Sequence, residues 1–264
     1  MLKSLVAFSL LTCNFGDQLT RIKKGKDAKD GEYPFVVVVL IANNKRQNGF
    51  IRRCTASMIA KDCALTAAHC ATNATKNHYI WYGNYTVSPL VSNLYTPIIE
   101  VIMHSGFHYK TVPGNSEILS VSENDIALLR VNDITLIRYG SVSLLEYTVL
   151  GGLPVKFVGY GRTNKEGDDQ LRQLQVGEGF ISQCSHATKQ MTNFAFCVSP
   201  QSTSSASTAI GDSGGPLLYD DQIVGILSFG DVKEDAYVPL SPYLNWIYSH
   251  FRLISDKNNI SKKM

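Results

Sequence analysis

Short runs rich in Val, Ile, Tyr and Phe recur along this chain with turn residues between them: YPFVVVVLIA, NHYIWYGN, TPIIEVIM, DIALLRV, LPVKFVGYG and QIVGILSFG. β-Branched and aromatic side chains fit a pleated surface, so this rhythm predicts an all-β sandwich or barrel set. Helical periodicity is confined to the end. In SPYLNWIYSHFRLI, 241–254, Ser stands at a cap position and Pro in the first turn, and Leu244, Ile247, Tyr248 and Phe251 follow at helical spacing. One C-terminal α-helix is expected there, ahead of a polar tail, SDKNNISKKM. No internal repeat is visible.

With 264 residues, 44% of them apolar and 18% charged, the chain can bury the core of one large domain or of two packed barrels of about 120 residues each. The run FVVVVLIA at 35–42 is short and β-branched, so it reads as a buried strand. The net charge is only +3, and the densest basic runs, Lys23-Lys24 and Lys262-Lys263, are two residues long. That distribution argues against nucleic acid as a partner.

The first residues, MLKSLVAFSLLTCNFG, place a lysine before an apolar run from Leu5 to Leu11 and then small or polar residues. This is the layout of a secretory signal peptide over 1–16, and the run is too short to cross a bilayer. Removing it with Cys13 leaves Cys54, Cys63, Cys70, Cys184 and Cys197. In an exported protein four of these can form two bridges, with one thiol left over. Glycosylation triplets at Asn73, Asn84 and Asn259 fit the same compartment. The expected location is extracellular, with no membrane attachment.

The stretch ASTAIGDSGGPLL, 206–218, surrounds Asp212 and Ser213 with glycines at 211, 214 and 215. A turn needs one such glycine; three around one hydroxyl imply that backbone comes close to something. A serine hydroxyl is a poor nucleophile unless a base takes its proton and a third group holds that base in the useful tautomer. Among the six histidines, His69 stands apart in the apolar segment CALTAAHC. The acid candidate is Asp125 in ENDIALLRV, a carboxylate entering a buried strand and therefore needing a donor. His104 and His108 could pair on a metal if helical, but Gly106 between them reads as a loop. No Asp or Glu occurs between Asp62 and Glu100 to bind calcium, and no metal or cofactor is expected.

Taken together, LTAAHC, NDIALL and GDSGGP, in that order, resemble the chymotrypsin-like (trypsin family) serine peptidases over roughly residues 21 to 250. VGYGRT at 158–163, SFG at 228–230 and YLNWI in the terminal helix extend the match. The G-x-S-x-G elbow of α/β-hydrolases also fits Gly211 to Gly215, but Pro216 and two β-rich runs follow the serine where that elbow needs a helix.

The resemblance implies two six-stranded antiparallel barrels with a C-terminal helix. A propeptide would cover 17–21, the first barrel about 22–138, the second barrel and helix about 139–254, and the tail 255–264. It implies Ser213 as nucleophile, His69 as base, Asp125 as the group orienting the imidazole, and the N–H groups of Gly211 and Ser213 as the oxyanion hole. Cleavage after Arg21 would free the α-ammonium of Ile22 to pair with Asp212. Bridges Cys54–Cys70 and Cys184–Cys197 are implied, with Cys63 a buried free thiol. Partners would be polypeptide substrates, an activating protease and protein inhibitors, acting on a monomer.

The chain also departs from the family pattern. Lys23 and Lys24 follow Ile22 where the family has an apolar residue and glycine, which motivates a second reading: an exported homologue that binds or regulates with weak or no catalysis. The substrate pocket would be lined by Ser207, Ser228, Gly230 and Asp235. Ser207 makes its floor neutral, and Asp235 reaches a wall position usually held by glycine. The segment from Phe229 to Tyr237 is short, so Asp231 or Glu234 are alternatives for that wall.

Overall fold

A computed structural model describes residues 22, 25–46, 49–72, 77–111, 120–161, 171–189, 192, 194–200, 206–230 and 234–251. The expected leader, the propeptide with Arg21, Lys23, Lys24, Asn73, Asn259, Asp231 and the polar tail lie outside them.

Six antiparallel strands close the first barrel: β1 Val36–Ala42, β2 Phe50–Ala60, β3 Cys63–Thr66, β4 His78–Trp81, β5 Tyr95–Met103 and β6 Ala127–Val131. Six more form the second: β7 Pro154–Gly159, β8 Gln175–Ser182, β9 Phe196–Pro200, β10 Pro216–Tyr219, β11 Gln222–Gly230 and β12 Asp235–Pro239. Pairing of β8 with β9 closes that ring. Read from its first strand, the first barrel runs β1-β2-β3-β6-β5-β4 and the second β7-β8-β9-β12-β11-β10. The same winding is thus used twice although the sequence shows no repeat, because alternation of apolar residues recurs while their identities do not.

The continuous apolar run of β1 follows from burial on both faces. Val36, Val38 and Leu40 join a core drawn from both barrels, whereas Val37 and Val39 join one drawn from the first barrel alone. The joint core also holds Trp81, Tyr85 and Tyr160, whose rings lie 5.0–5.4 Å apart. Tyr160 of the second barrel donates its hydroxyl to the Tyr85 carbonyl at 3.0 Å, and Tyr85 donates to the Val36 carbonyl at 2.6 Å. Each buried phenol thus finds a partner, Tyr160 across the barrel boundary and Tyr85 within the first barrel.

The terminal segment starts as a 3-10 turn, Ser241–Tyr243, and continues as an α-helix over 244–251. Its buried face is Tyr243, Trp246, Ile247 and Phe251, packed on the joint core. Tyr248, expected on that face, is 45% exposed. It stands one position past Ile247, a rotation of about 100° away from the core. Ser241 does not cap this helix; its Oγ accepts the Tyr147 N–H at 3.0 Å.

Cys54 and Cys70 are bridged, as are Cys184 and Cys197. Cys63 is a buried free thiol, pushed up to about 12 by burial and by the charge of Asp62. Among the described residues no helix is long and apolar enough to cross a membrane.

Candidate active site

His69 and Asp125 both come from the first barrel. His69 lies in the short helix Ala68–Ala71 directly after β3, and the Cys54–Cys70 bridge ties that turn to β2. Arg53 braces it as well: Nε donates to the Cys70 carbonyl and Nη2 to the His69 carbonyl, each at 3.1 Å. Asp125 precedes β6 and is 0% exposed. Asn124 before it adopts a left-handed conformation (φ 51°), which Asn tolerates better than most residues. Asn124 is held from two sides, donating to the Gly106 carbonyl at 2.8 Å and accepting the Tyr243 hydroxyl at 3.0 Å.

This framework brings His69 Nδ1 to 2.7 Å from Asp125 Oδ2. The His69 N–H also donates to Oδ1 at 2.8 Å, and Ser228 Oγ donates to Oδ2 at 2.6 Å. Burial pushes the Asp125 carboxyl up, but the His69 charge and these hydrogen bonds outweigh it, so the group titrates below the ordinary carboxylate range. An anion is therefore held against the Nδ1 edge of an imidazole whose side chain is 24% exposed. Ser228, expected in the pocket wall, spends its hydroxyl on this anion.

The loop carrying Ser213 comes from the second barrel and rests on the first. The Ser213 carbonyl accepts the Thr55 N–H at 2.9 Å, and Thr55 Oγ1 donates to the Gly211 carbonyl at 2.9 Å. Gly214, at φ 78°, is where glycine is required: a Cβ there would collide with Thr66 Oγ1 and the Thr55 carbonyl. That close approach puts Ser213 beside the His69 turn, and the Cys70 sulfur lies 3.6 Å from both the Ser213 carbonyl oxygen and His69 Nε2. The N–H groups of Asp212, Gly214 and Gly215 are spent on the carbonyls of Ala209, Leu227 and Asp212. Those of Gly211 and Ser213 donate to no described residue.

Asp212 is wholly buried, with Oδ1 accepting the Gly161 N–H at 2.6 Å and Oδ2 the Ala209 N–H at 2.9 Å. Burial pushes it up to about 7, against these two bonds and the attraction of Arg172; the charge of Asp235 adds to the rise. A Cβ on Gly159 or Gly161 would run into the Asp212 carboxyl, so the glycines around Tyr160 make room for it. Ile22 is 1% exposed, packed with Leu150, Val155 and Phe157 in the core of the second barrel.

Near the expected pocket, Asp235 on β12 pairs in register with Gly230 on β11. Its carboxylate accepts the Thr208 N–H at 3.0 Å and the Thr208 hydroxyl at 2.5 Å, next to half-buried Ser207. A side chain at Gly230 would strike that carboxylate. Glu234 turns the other way, accepting the Ser185 N–H and the Thr188 hydroxyl. The buried Tyr237 hydroxyl has no hydrogen-bond partner among the described residues. Among them, Cys54, His69 and Cys70 form the one compact group of His, Cys or acidic side chains, and both sulfurs are in the bridge. His104 packs against Tyr243 and Trp246, and His108 begins a separate short strand, His108–Thr111.

A family model described as Trypsin matches residues 22–247. The chain belongs to the trypsin family of serine proteases. Serine protease SP24D of Anopheles gambiae is 27% identical over 249 residues, covering 89% of this chain and 83% of that one. Chymase of Papio hamadryas is 28% identical over 233 residues, covering 84% and 87%. The β subunit of clotting factor G from Tachypleus tridentatus is 27% identical, covering 89% and 81%. The solved structure of HL collagenase superposes with a TM-score of 0.62 at 19% identity, over 86% of this chain and 97% of that one, a likeness of fold.

Within this trypsin-family chain, Thr55, Arg53 and Arg172 support the site without having been marked in the sequence, and Tyr160 and Gly161 support it from the VGYGRT run, where no role was assigned to them. The one available signal was glycine on both sides of Tyr160, which shows a backbone packed closely but not against what.

Proposed function

We propose that this trypsin-family chain is a secreted serine endopeptidase, made as a zymogen and cutting peptide bonds through an acyl-enzyme. The observation that carries the reading is the 2.7 Å contact between His69 Nδ1 and the wholly buried Asp125 carboxylate, with the Ser213 loop laid against the same turn. His69 Nε2 takes the Ser213 proton as Oγ attacks the scissile carbonyl. Asp125 keeps the other ring proton on Nδ1 and stabilises the imidazolium. The tetrahedral oxyanion receives the N–H groups of Gly211 and Ser213, each such donor being worth about 2.7–4 kcal/mol in the barrier. Its collapse expels the amine, which takes the proton from Nε2, and water then repeats the cycle to free the acid.

Cleavage after Arg21 turns the Ile22 nitrogen from an amide into an ammonium. Paired with Asp212, that charge replaces lost hydration and orders the loop; breaking such a buried pair commonly costs about 3–5 kcal/mol. N-terminal sequencing of secreted material with fluorophosphonate titration tests the reading. Chains that begin at Ile22 are expected to take one equivalent on Ser213. Chains that begin there and stay unlabelled overturn it and leave the binding or regulatory homologue that Lys23 and Lys24 motivate.

The pocket reading assigns Ser207, Ser228, Gly230 and Asp235 to the residue preceding the cut. Asp235 supplies buried negative charge beside a neutral floor, which selects basic side chains. Cleavage of a peptide library by Asp235→Gly is expected to shift from Lys and Arg toward apolar residues, by about 10²-fold or more in relative kcat/KM, the scale of a lost buried charge pair. Unchanged preference removes Asp235 from the pocket.

A further inference from the structure

Beside Asn84 lies a cavity of about 460 Å³, within the range of about 300–1,000 Å³ that small-ligand sites occupy. Its wall is drawn from 28–31, 33–34, 82–85, Leu94, 135–137 and 173–174. The segment leading into β1, the loop after β4, the connection between the barrels and the segment leading into β8 therefore all meet there. Across this seam the Ala28 N–H donates to the Leu174 carbonyl at 2.8 Å. Apolar surface comes from Pro34, Tyr82, Leu94, Leu136 and Ile137, the last of them 92% exposed. Gln173 Nε2 donates to Asp30 Oδ1 at 2.5 Å, while Asp30 Oδ2 and Gln173 Oε1 accept no hydrogen bond among the described residues. Asn84 is an exposed member of the wall and opens the triplet Asn84-Tyr85-Thr86. Its Oδ1 accepts both the Thr86 N–H at 2.9 Å and the Thr86 hydroxyl at 2.6 Å. This side-chain turn fixes the plane of the carboxamide, and Nδ2 donates to no described residue.

We propose that Asn84 carries an N-linked oligosaccharide whose first sugars seat in this cavity and buttress the junction of the two barrels. The inference rests on the secretion reading above, because the sugar donor is met only on export. In the transfer, Nδ2 forms a bond to the anomeric carbon of an oligosaccharide linked to a lipid diphosphate. The bond from that carbon to the phosphate oxygen breaks, the lipid diphosphate leaves, and one Nδ2 proton passes to solvent. A pyranose suits the wall. Its C–H face covers apolar surface, the Ile137 side chain included, while its hydroxyls donate to Asp30 Oδ2 and Gln173 Oε1. Attachment beside the cavity holds the sugar there at high effective concentration. A free peptide or a second copy of the chain would instead bear the full cost of association.

The test expresses the full chain in cultured eukaryotic cells, with Asn73→Gln and Asn259→Gln so that Asn84 is the one triplet left. Mass spectrometry of the secreted material is expected to find hexosamine on the peptide holding Asn84. Thermal unfolding is then followed before and after enzymatic removal of the sugar, which leaves aspartate at 84 and so keeps an acceptor for Thr86. Removal should lower the midpoint by about 2–4 °C, the shift of a modest contact in a domain of this size. Ile137→Ser, at an exposed side chain, should leave the stripped chain's midpoint unchanged and cut the gain from the sugar by about half or more. An equal gain in both variants means a glycan that hangs in solvent and overturns the proposal. So does a midpoint that stripping leaves unchanged, or a secreted chain bare at Asn84. A glycosylated chain that dimerises until Ile137 is replaced gives the cavity to a second copy and overturns it as well. A chain retained in the cell without sugar removes the secretion reading itself, and the proposal falls with it.

Discussion

Replacing Ser213 by alanine is expected to lower kcat on peptide substrates about 10⁶-fold, and adding His69→Ala to that variant to lower it by less than about tenfold more. The reason is in the division of labour. The imidazole is useful only while it has a hydroxyl to deprotonate, so once Oγ is gone the aligned His69–Asp125 pair has nothing to act on. The remaining rate comes from water attacking a carbonyl polarised by the Gly211 and Ser213 N–H groups, about 10³–10⁴ above the uncatalysed reaction. Neither substitution touches the packed loop: the Ser213 carbonyl keeps its bond from Thr55, and Gly214 and Gly215 keep theirs to Leu227 and Asp212. Steady-state kinetics on the purified single and double variants, with circular dichroism to check the fold, decide the matter. Additive losses mean that the two residues do not act as a unit, and a Ser213→Ala loss below about a hundredfold places the hydrolysis elsewhere.

Legibility in the sequence followed the range of the interaction. The strands were readable because alternation is local, and β1 declared its double burial through five consecutive apolar residues from Val36 to Leu40. His69, Asp125 and Ser213 were readable because each sits in a long motif whose residues serve a nearby backbone constraint, such as the tight approach at Gly214. The supports of Asp212 were not readable. Gly161 is 51 positions from it in sequence and Thr55 is 156 from Gly211, and such contacts exist only once the two barrels are packed. The same holds for Arg172, which looks like an ordinary surface residue in QLRQLQV until Tyr160 covers it. Glu234 and Asp235 are neighbours in the chain, and only the strand register sends one to Ser185 and the other to Thr208. Alternation along a strand separates them; nothing in their identities does.

Asp125→Asn is expected to lower kcat about 10⁴-fold at neutral pH with little change in KM. The geometry shows why an isosteric change is so costly. Oδ1 accepts the His69 N–H, and Oδ2 accepts both His69 Nδ1–H and the Ser228 hydroxyl. Asparagine has one acceptor oxygen, and the backbone N–H, which cannot rotate away, claims it. The amide NH₂ then occupies the Oδ2 position and donates to Nδ1, which drives the ring proton to Nε2, the nitrogen that must receive the Ser213 proton. The base is thereby lost while its position is kept. Ser228→Ala removes only one donor to an anion that retains two, so it should cost at most about a hundredfold, the upper range of one charge-assisted hydrogen bond. The pH dependence separates the groups further. Asp125 is held below the ordinary range, so its contribution to stability is fully present above about pH 4 and is lost only as the pH falls below that through its folded value. It is therefore ionised throughout the neutral range, and loss of activity between about pH 8 and pH 5 does not report its protonation. Kinetics for Asp125→Asn and Ser228→Ala across that range check both points. Equal losses in the two variants, or an Asp125→Asn deficit that appears in KM instead of kcat, contradict the tautomer argument.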